Sequence, residues 1–303
     1  MSRAFVEVSA LGKSFPSKGN APLVVYENVN FTLNKGEFVC IIGHSGCGKS
    51  TILNTLAGLD DPTAGNVIMN GKEVKGPSLE RGIVFQNYSL LPWLSALKNV
   101  EFGVAARWPK WSKEQVREHS VRYLSMVGLD HALDRKPSQL SGGMRQRVSI
   151  ARAFATQPEL LLLDEPFGAL DALTRGVIQQ ELVKIWSETQ QTVFMITHDV
   201  DEALLLSDRI LLMTNGPNAA VAESVVVDLP RPRQRATIVH QPGYYTLRNY
   251  LVDFLVNRSD SREGIVAGAE PKSVNPLTEE KKPAEPEPVP AAAVRPIKQF
   301  AVN

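Results

Sequence analysis

Gly36-Glu37-Phe38-Val39-Cys40-Ile41-Ile42-Gly43-His44-Ser45-Gly46-Cys47-Gly48-Lys49-Ser50-Thr51 is the stretch on which the reading of this chain turns. Its apolar run, Gly36–Ile42, predicts a strand buried on both faces. The run passes directly into Gly-x-x-x-x-Gly-Lys-Ser, and a helical pattern follows through Leu59. Strand before and helix after is the context in which such a loop holds phosphate. The backbone N–H groups of Gly43, His44, Ser45, Gly46, Cys47 and Gly48 then surround the α/β-phosphates. Lys49 reaches the β/γ-phosphates, Ser50 ligates Mg²⁺, and Thr51 completes the site at the helix start. Cys47, so close to a helix N-terminus, is expected to favour its thiolate and to react with alkylating agents. The loop alone leaves GTPases, kinases and motor ATPases open.

Working outward, further apolar strands end on polar residues. Gly82–Gln86 ends at Gln86, Leu160–Leu163 at Asp164-Glu165, and Thr192–Thr197 at His198. Strands alternate here with helices (174–190, 199–206), which implies a mostly parallel sheet covered on both faces. A carboxylate at such a strand end sits beside the phosphate loop, where Asp164 holds Mg²⁺ through water and Glu165 polarises an attacking water as general base. An isolated Asp-Glu before Pro166 would instead read as a helix cap. His198 is placed to donate a hydrogen bond to a γ-phosphate, and Gln86 to reach Mg²⁺ or the attacking water. Singly, each also reads as an ordinary structural or loop residue.

A second anion site is written at Leu140-Ser141-Gly142-Gly143-Met144. Ser141 caps the helix that follows, and adjacent glycines let a ligand approach the N–H groups of Ser141, Gly142 and Gly143. This helix closes a helical block, residues 90–156, inserted into the α/β pattern as a subdomain. On the N-terminal side, 4–9 and 24–33 read as strands and 65–74 as a hairpin turning at Asn70-Gly71. Residues 231–262 read as a helical extension with the stripe Tyr244, Leu247, Tyr250, Leu251, Phe254 and Leu255. From 263 to 303 the Pro-, Ala- and Glu-rich composition predicts a disordered tail.

Composition narrows the class. The chain of 303 residues carries 33 basic and 32 acidic residues, which argues against a nucleic-acid binder working through bulk charge. Arg231, Arg233 and Arg235, lying among prolines, read as a solvated loop before they read as a nucleic-acid patch. Cys40 and Cys47 form neither a disulfide framework nor a metal spacing, which fits a reducing compartment. No apolar stretch at Met1-Ser2-Arg3-Ala4 suggests a signal peptide, and no run approaches the ~18 residues of a membrane span. A role at a membrane is therefore expected to pass through a spanning partner.

With these motifs in order, residues 4–230 resemble the nucleotide-binding subunits of ABC transporters. The resemblance rests on the phosphate loop 43–50, Gln86, the signature Leu140–Met144, Leu160–Glu165, Ala169-Leu170-Asp171, and His198. It implies a P-loop, RecA-like α/β core with an N-terminal antiparallel β subdomain and the inserted helical subdomain. It also implies a head-to-tail dimer, of identical or paired ATPase subunits, with two ATP molecules at the interface. Each ATP lies between the phosphate loop of one subunit and the signature of the other. Glu165 is then the catalytic base, His198 contacts the γ-phosphate, and Asp171 helps join the two sites. Phe15 matches the ring that stacks on adenine, with Tyr26 as the competing candidate. Two departures stand out: Met144 where many members have Gln, and Phe15 where Tyr is commoner.

The stretch Arg81–Trp93 resembles the branch serving nitrate, nitrite, cyanate, bicarbonate, sulfonate and taurine uptake. In that branch the segment Gln86–Trp93 receives the membrane-spanning permease subunit. Tyr88, Leu91, Pro92 and Trp93 then form an exposed apolar seat, the alternative being that they pack inside the helical subdomain. Met213–Pro217, Pro230–Arg233 and Tyr244–Tyr250 look like nitrate-type subunits more than sulfonate or taurine ones. The resemblance thus implies an ATP-driven importer subunit peripheral to the cytoplasmic membrane face, served indirectly by a solute-binding protein. The rivals are a sulfonate importer subunit, a soluble ABC ATPase acting on DNA or ribosomes, and a paralogue that binds ATP without turnover. Coiled-coil insertions or a second cassette would mark the soluble class, and neither is present.

Overall fold

The computed structural model describes residues 4–17, 21–168, 170–261, 265–266 and 268–278. In chain order the elements are β1 (Val6–Phe15), β2 (Leu23–Leu33), β3 (Phe38–Ile42), α1 (Lys49–Ala57), β4 (Ala64–Met69), β5 (Lys72–Glu73), β6 (Arg81–Val84), α2 (Ala96–Arg107), α3 (Lys113–Met126) and α4 (Gly142–Ala155). There follow β7 (Leu160–Asp164), α5 (Ala172–Thr189), β8 (Thr192–Ile196), α6 (Val200–Leu206), β9 (Arg209–Met213), β10 (Val221–Val226), α7 (Tyr244–Asp253) and β11 (Lys272–Val274).

The main sheet has the order β11-β10-β9-β3-β8-β7-β6, and a separate sheet has the order β2-β1-β4-β5. Strands β9, β3, β8, β7 and β6 run parallel, while β10 is antiparallel to β9. β3 is central, and every one of its residues is buried. Its side chains divide by parity. Val39 and Ile41 join the core shared with α1 and the antiparallel sheet, whereas Phe38, Cys40 and Ile42 join the core beneath α4–α7 and the helical subdomain. One face of the parallel sheet is therefore roofed partly by a second sheet rather than by helices alone.

Helix starts coincide with side-chain caps. Ser95, Ser112, Ser141, Asp171 and Asp199 each accept from backbone N–H groups in the first turn of α2 to α6. The hairpin β4–β5 turns at Asn70 and Gly71, whose φ of 50° and 73° are those of a tight, twist-matched turn.

Two expectations change past residue 226. Residues 272–274, read by composition as part of a structureless tail, form β11 and pair parallel with β10, with Val274 buried. A long-range partner overrides local composition there; residues 279–303 and Ala169 lie outside the described residues. Nor is the arginine stretch simply a solvated loop: Arg235 is exposed as expected, but Arg231 is half-buried and Arg233 buried. Arg233 is 6% exposed and donates to the carbonyls of Leu204, Ser207, Val227 and Leu229. Two of these close α6, where a cation also opposes the helix dipole. Arg231 lies over the Trp186 ring at 4.5 Å and bonds Asp208 at 2.7 Å, and Arg235 donates to Gln179 at 3.0 Å. Burial, with Arg231 adding repulsion, pushes Arg233 down to about 10, which still leaves it cationic at neutral pH.

Arg233→Ala leaves four carbonyls short of a donor, so it should destabilise the chain by about 2–4 kcal/mol. Denaturant unfolding checks this, and an unshifted midpoint would show that the arginine holds nothing.

Candidate functional site

The parallel strands fix the site by where they stop. The C-terminal ends of β3, β6, β7 and β8 share one sheet edge, the usual ligand edge of such a sheet. The phosphate loop leaves β3, with Gly46 at φ 82° and Gly48 at φ 99°. Gly48 is doubly required, because a Cβ there would lie 2.7 Å from Val25 Cγ1 and 2.9 Å from Tyr26 Cδ1. The Lys49 ammonium spans the loop, donating to Gly43 O at 2.7 Å and His44 O at 2.8 Å.

Across the edge, Ser50 Oγ donates to Asp164 Oδ1 at 3.1 Å. Burial raises the Asp164 carboxyl above its ordinary value; Ser50 opposes this, the Glu165 charge adds to it, and Lys49 opposes it. Two oxygen donors side by side, one of them a carboxyl, suit Mg²⁺, which takes one or two protein oxygens and completes its shell with water and phosphate. Among the described residues no group of three or more His, Cys, Asp or Glu could hold a metal by itself.

Next to this pair, Glu165 Oε2 accepts from Gln86 Nε2 at 3.2 Å and lies 3.5 Å from His198 Nδ1. Glu165 has φ 44°, a left-handed conformation that non-glycine residues adopt only when the surroundings impose it. Its N–H is fixed to Ile196 O at 3.1 Å. The carboxylate is thus aimed beyond the strand end, between Gln86 and His198.

Ser141 caps α4 by accepting from Met144 N at 3.2 Å. Among the described residues no hydrogen bond or ion pair joins Ser141, Gly142 or Gly143 to the phosphate loop of the same chain. The two glycines differ. A Cβ on Gly142 would meet only the Tyr88 hydroxyl, at 3.3 Å, whereas one on Gly143 would lie 2.3 Å from Thr174 Cγ2 at the start of α5. Gly143 is required by helix packing before any ligand is considered. Asp171 caps α5, and the backbone N–H of Thr174 holds its carboxyl below the ordinary range.

The ring candidates separate cleanly. Phe15 is 44% exposed with Lys13 Nζ 5.2 Å from its centroid, free to offer a face to a base. Tyr26 is wholly buried, its hydroxyl 3.3 Å from Thr55 Oγ1, and belongs to the core. Cys47 requires a correction: it is 1% exposed, and burial pushes its thiol up against the opposing pull of Lys49. Burial thus works against the thiolate expected at this position.

The segment after Gln86 splits between the two readings of it. Pro92 and Trp93 stand out, Trp93 at 66% exposed, while Tyr88 and Leu91 are half-buried. Tyr88 and Ser89 are both left-handed, at φ 56° and 46°, and Arg152 of α4 bonds both carbonyls, the nearer at 2.8 Å. Asn99 of α2 brackets Leu91 through both its N–H and its carbonyl. Sequence reading missed these holders, as it missed Glu202, although Asp199-x-x-Glu202 has the spacing of a cap and its third residue.

Comparisons with known proteins bear on the family and the fold. Residues 26–168 match the family model described as ABC transporter. The chain is 52% identical to the bicarbonate transport ATP-binding protein CmpD of Synechocystis sp., over 84% of this chain and 90% of that protein. It is 49% identical to the nitrate import ATP-binding protein NrtD of Synechococcus elongatus, over 84% and 92%. A solved dimer of MJ0796, a bacterial ABC transporter cassette, superposes with a TM-score of 0.67 at 35% identity, covering 73% of this chain and 98% of that one. Another solved dimer of MJ0796, a post-hydrolysis state bound to ADP and Pi, gives 0.66.

Two variants test the site's construction. Gly143→Ala should cost about 1–3 kcal/mol by overpacking against Thr174. Adding Thr174→Ser, which deletes the offending methyl, should recover most of it in a melting experiment; no recovery would place the requirement elsewhere. Because the Asp164 carboxyl is raised in the fold, its ionisation opposes folding as pH rises from the ordinary carboxylate value through the raised one. Asp164→Asn should therefore leave the nucleotide-free chain at least as stable at pH 7, yet abolish most of the extra thermal protection given by Mg-ATP over ATP with chelator. A less stable apo variant that keeps that protection would refute the assignment.

Proposed function

The chain belongs to the ATP-binding subunits of ABC transporters, and from that premise we propose that it drives uptake of a small monovalent oxyanion, nitrate or bicarbonate. ATP hydrolysis supplies the energy, and the observation that carries the reading is the convergence of Gln86, Glu165 and His198 beside the Ser50–Asp164 pair. The cargo class rests on the two importer subunits to which the chain is similar at 52% and 49% identity.

In this reading Lys49 and the loop N–H groups bind the β- and γ-phosphates, and Phe15 stacks on the adenine. Ser50, Asp164 and Gln86 hold Mg²⁺, which when bound neutralises charge on the β/γ-phosphate oxygens. Glu165 accepts the proton of the attacking water, held in place by Gln86. His198 donates to the γ-phosphate once rotated from Glu165. The signature Ser141–Gly143 completes the site of a second ATPase subunit rather than its own, supported by its separation from this chain's phosphate loop and by the dimeric MJ0796 cassettes.

Coupling to a permease is assigned to Gln86–Trp93, where exposed Pro92 and Trp93 lie on a segment anchored to α4. No helix among the described residues is long and apolar enough to cross a membrane. The subunit accordingly works as a peripheral partner of spanning subunits at the cytoplasmic face, with a solute-binding protein delivering the anion.

Glu165→Gln should keep ATP binding, accumulate an ATP-dependent dimer visible by light scattering, and lose turnover by about 10²–10⁴-fold. Turnover at the parental rate would remove Glu165 from the base role. In a strain deleted for this chain, uptake of labelled nitrate or bicarbonate should fall while taurine uptake stays unchanged, the reverse pattern assigning the subunit to sulfonates.

A further inference from the structure

A second polar cluster ties the C-terminal segment to the loop that carries His198. The ring of His198 is largely exposed, and Glu165 is its ion-pair contact, so its direction depends on the backbone that bears it. That backbone is gripped by one buried hydroxyl. Thr197 Oγ1 accepts from Asp199 N at 3.1 Å and donates to Glu202 Oε2 at 2.7 Å, closing the chain around His198 from both sides. The other oxygen of Glu202 accepts from Gln179 Nε2 at 3.0 Å, and the amide oxygen of Gln179 accepts from Arg235 Nη1 at 3.0 Å. Thr197, Glu202 and Gln179 are all buried.

A second route reaches the same loop. The buried Tyr244 of α7 donates to Asp201 Oδ1 at 2.7 Å, and Arg248 donates to the same oxygen at 2.9 Å. Asp201 lies in the first turn of α6, three residues past His198. Arg175 adds a branch toward the turn before α5, donating to Leu170 O at 3.3 Å and pairing with Asp199 at 3.4 Å.

We propose that the segment from Arg235 to Arg248 is a positioning element for His198, acting through Arg235, Gln179, Glu202 and Thr197 and through Tyr244 and Asp201. Displacing that segment loosens the His198 loop and slows hydrolysis without altering how ATP is held by the phosphate loop. The proposal rests on the reading of His198 as the residue that faces the γ-phosphate.

Gln179→Leu and Tyr244→Phe are the probes: the first deletes the bonds of Gln179 to Glu202 and from Arg235, the second the bond to Asp201, and both roughly keep the volume. In the purified full chain Gln179→Leu should lower kcat about five- to tenfold, roughly the factor that one lost buried hydrogen bond represents. Tyr244→Phe should lower it about two- to threefold, with KM for ATP within about twofold of parental in both. Added to His198→Ala, neither should reduce the residual turnover further, because a residue that acts through His198 has nothing left to act on. The same fractional loss in both backgrounds, or no loss in either, overturns the proposal. If His198→Ala turns over at the parental rate, the reading of His198 fails instead. As a measure independent of turnover, the His198 ring NMR signal, identified by its loss in His198→Ala, should shift in Gln179→Leu; an unmoved signal also overturns the proposal.

Discussion

Burial of the five residues of β3 on both faces is the constraint from which the site follows. A strand with no exposed side chain needs cover above and below, and both cores are built on it by parity. It also needs hydrogen-bonded neighbours on both edges, which β8 and β9 supply in parallel. Parallel neighbours bring their C-terminal ends to one edge, so the phosphate loop, Asp164-Glu165 and His198 come together without any direct instruction in the sequence between them. Loss of apolar surface in Phe38–Ile42 would therefore disperse the chemistry as well as weaken the fold.

Strand ends and helix starts were legible because each has a local cause. An apolar run stops at a charge, and Ser or Asp precedes the first turn of α2 to α6. What stayed hidden was set by distant partners. Arg233 looks like any loop arginine, and only the carbonyls at the end of α6, brought to it by the path of residues 227–233, make it a buried clamp. Residues 272–274 sit in a Pro-rich stretch and become a strand because β10 offers an unpaired edge. For Cys47, the helix terminus was visible and the burial was not, and burial is the larger effect. Gly143 was assigned to a ligand, yet its first obligation is to the Thr174 methyl. In each case the missing quantity is solvent exposure or a through-space neighbour, neither of which spacing encodes.

α4 does more than carry the signature. Its N-terminus presents Ser141, and one face further along carries Arg152, which holds the carbonyls of Tyr88 and Ser89. The left-handed conformations of those two residues each cost on the order of 1 kcal/mol or more, and the charge-assisted bonds from a guanidinium offset this. Arg145 adds its guanidinium over the Tyr88 ring at 5.4 Å. The segment bearing Trp93 and the signature are consequently fixed to one helix of 14 residues, about 21 Å long at the usual rise.

The methionine at position 144 follows from the same geometry. α3 begins with a reciprocal cap: Ser112 accepts from Gln115 N while the Gln115 side chain accepts from Ser112 N. α4 begins with the same half of the motif, Ser141 accepting from Met144 N, but Met144 carries no acceptor to return the bond. The Ser141 N–H is left facing outward with those of Gly142 and Gly143, among the helix-start donors that have no partner within the helix. An acceptor side chain at 144 would compete for the first of them. An apolar one, half-buried against the core, anchors the turn without competing for that N–H. The departure from Gln thus leaves the α4 cap one-sided, whereas α3 closes its cap with a returned bond.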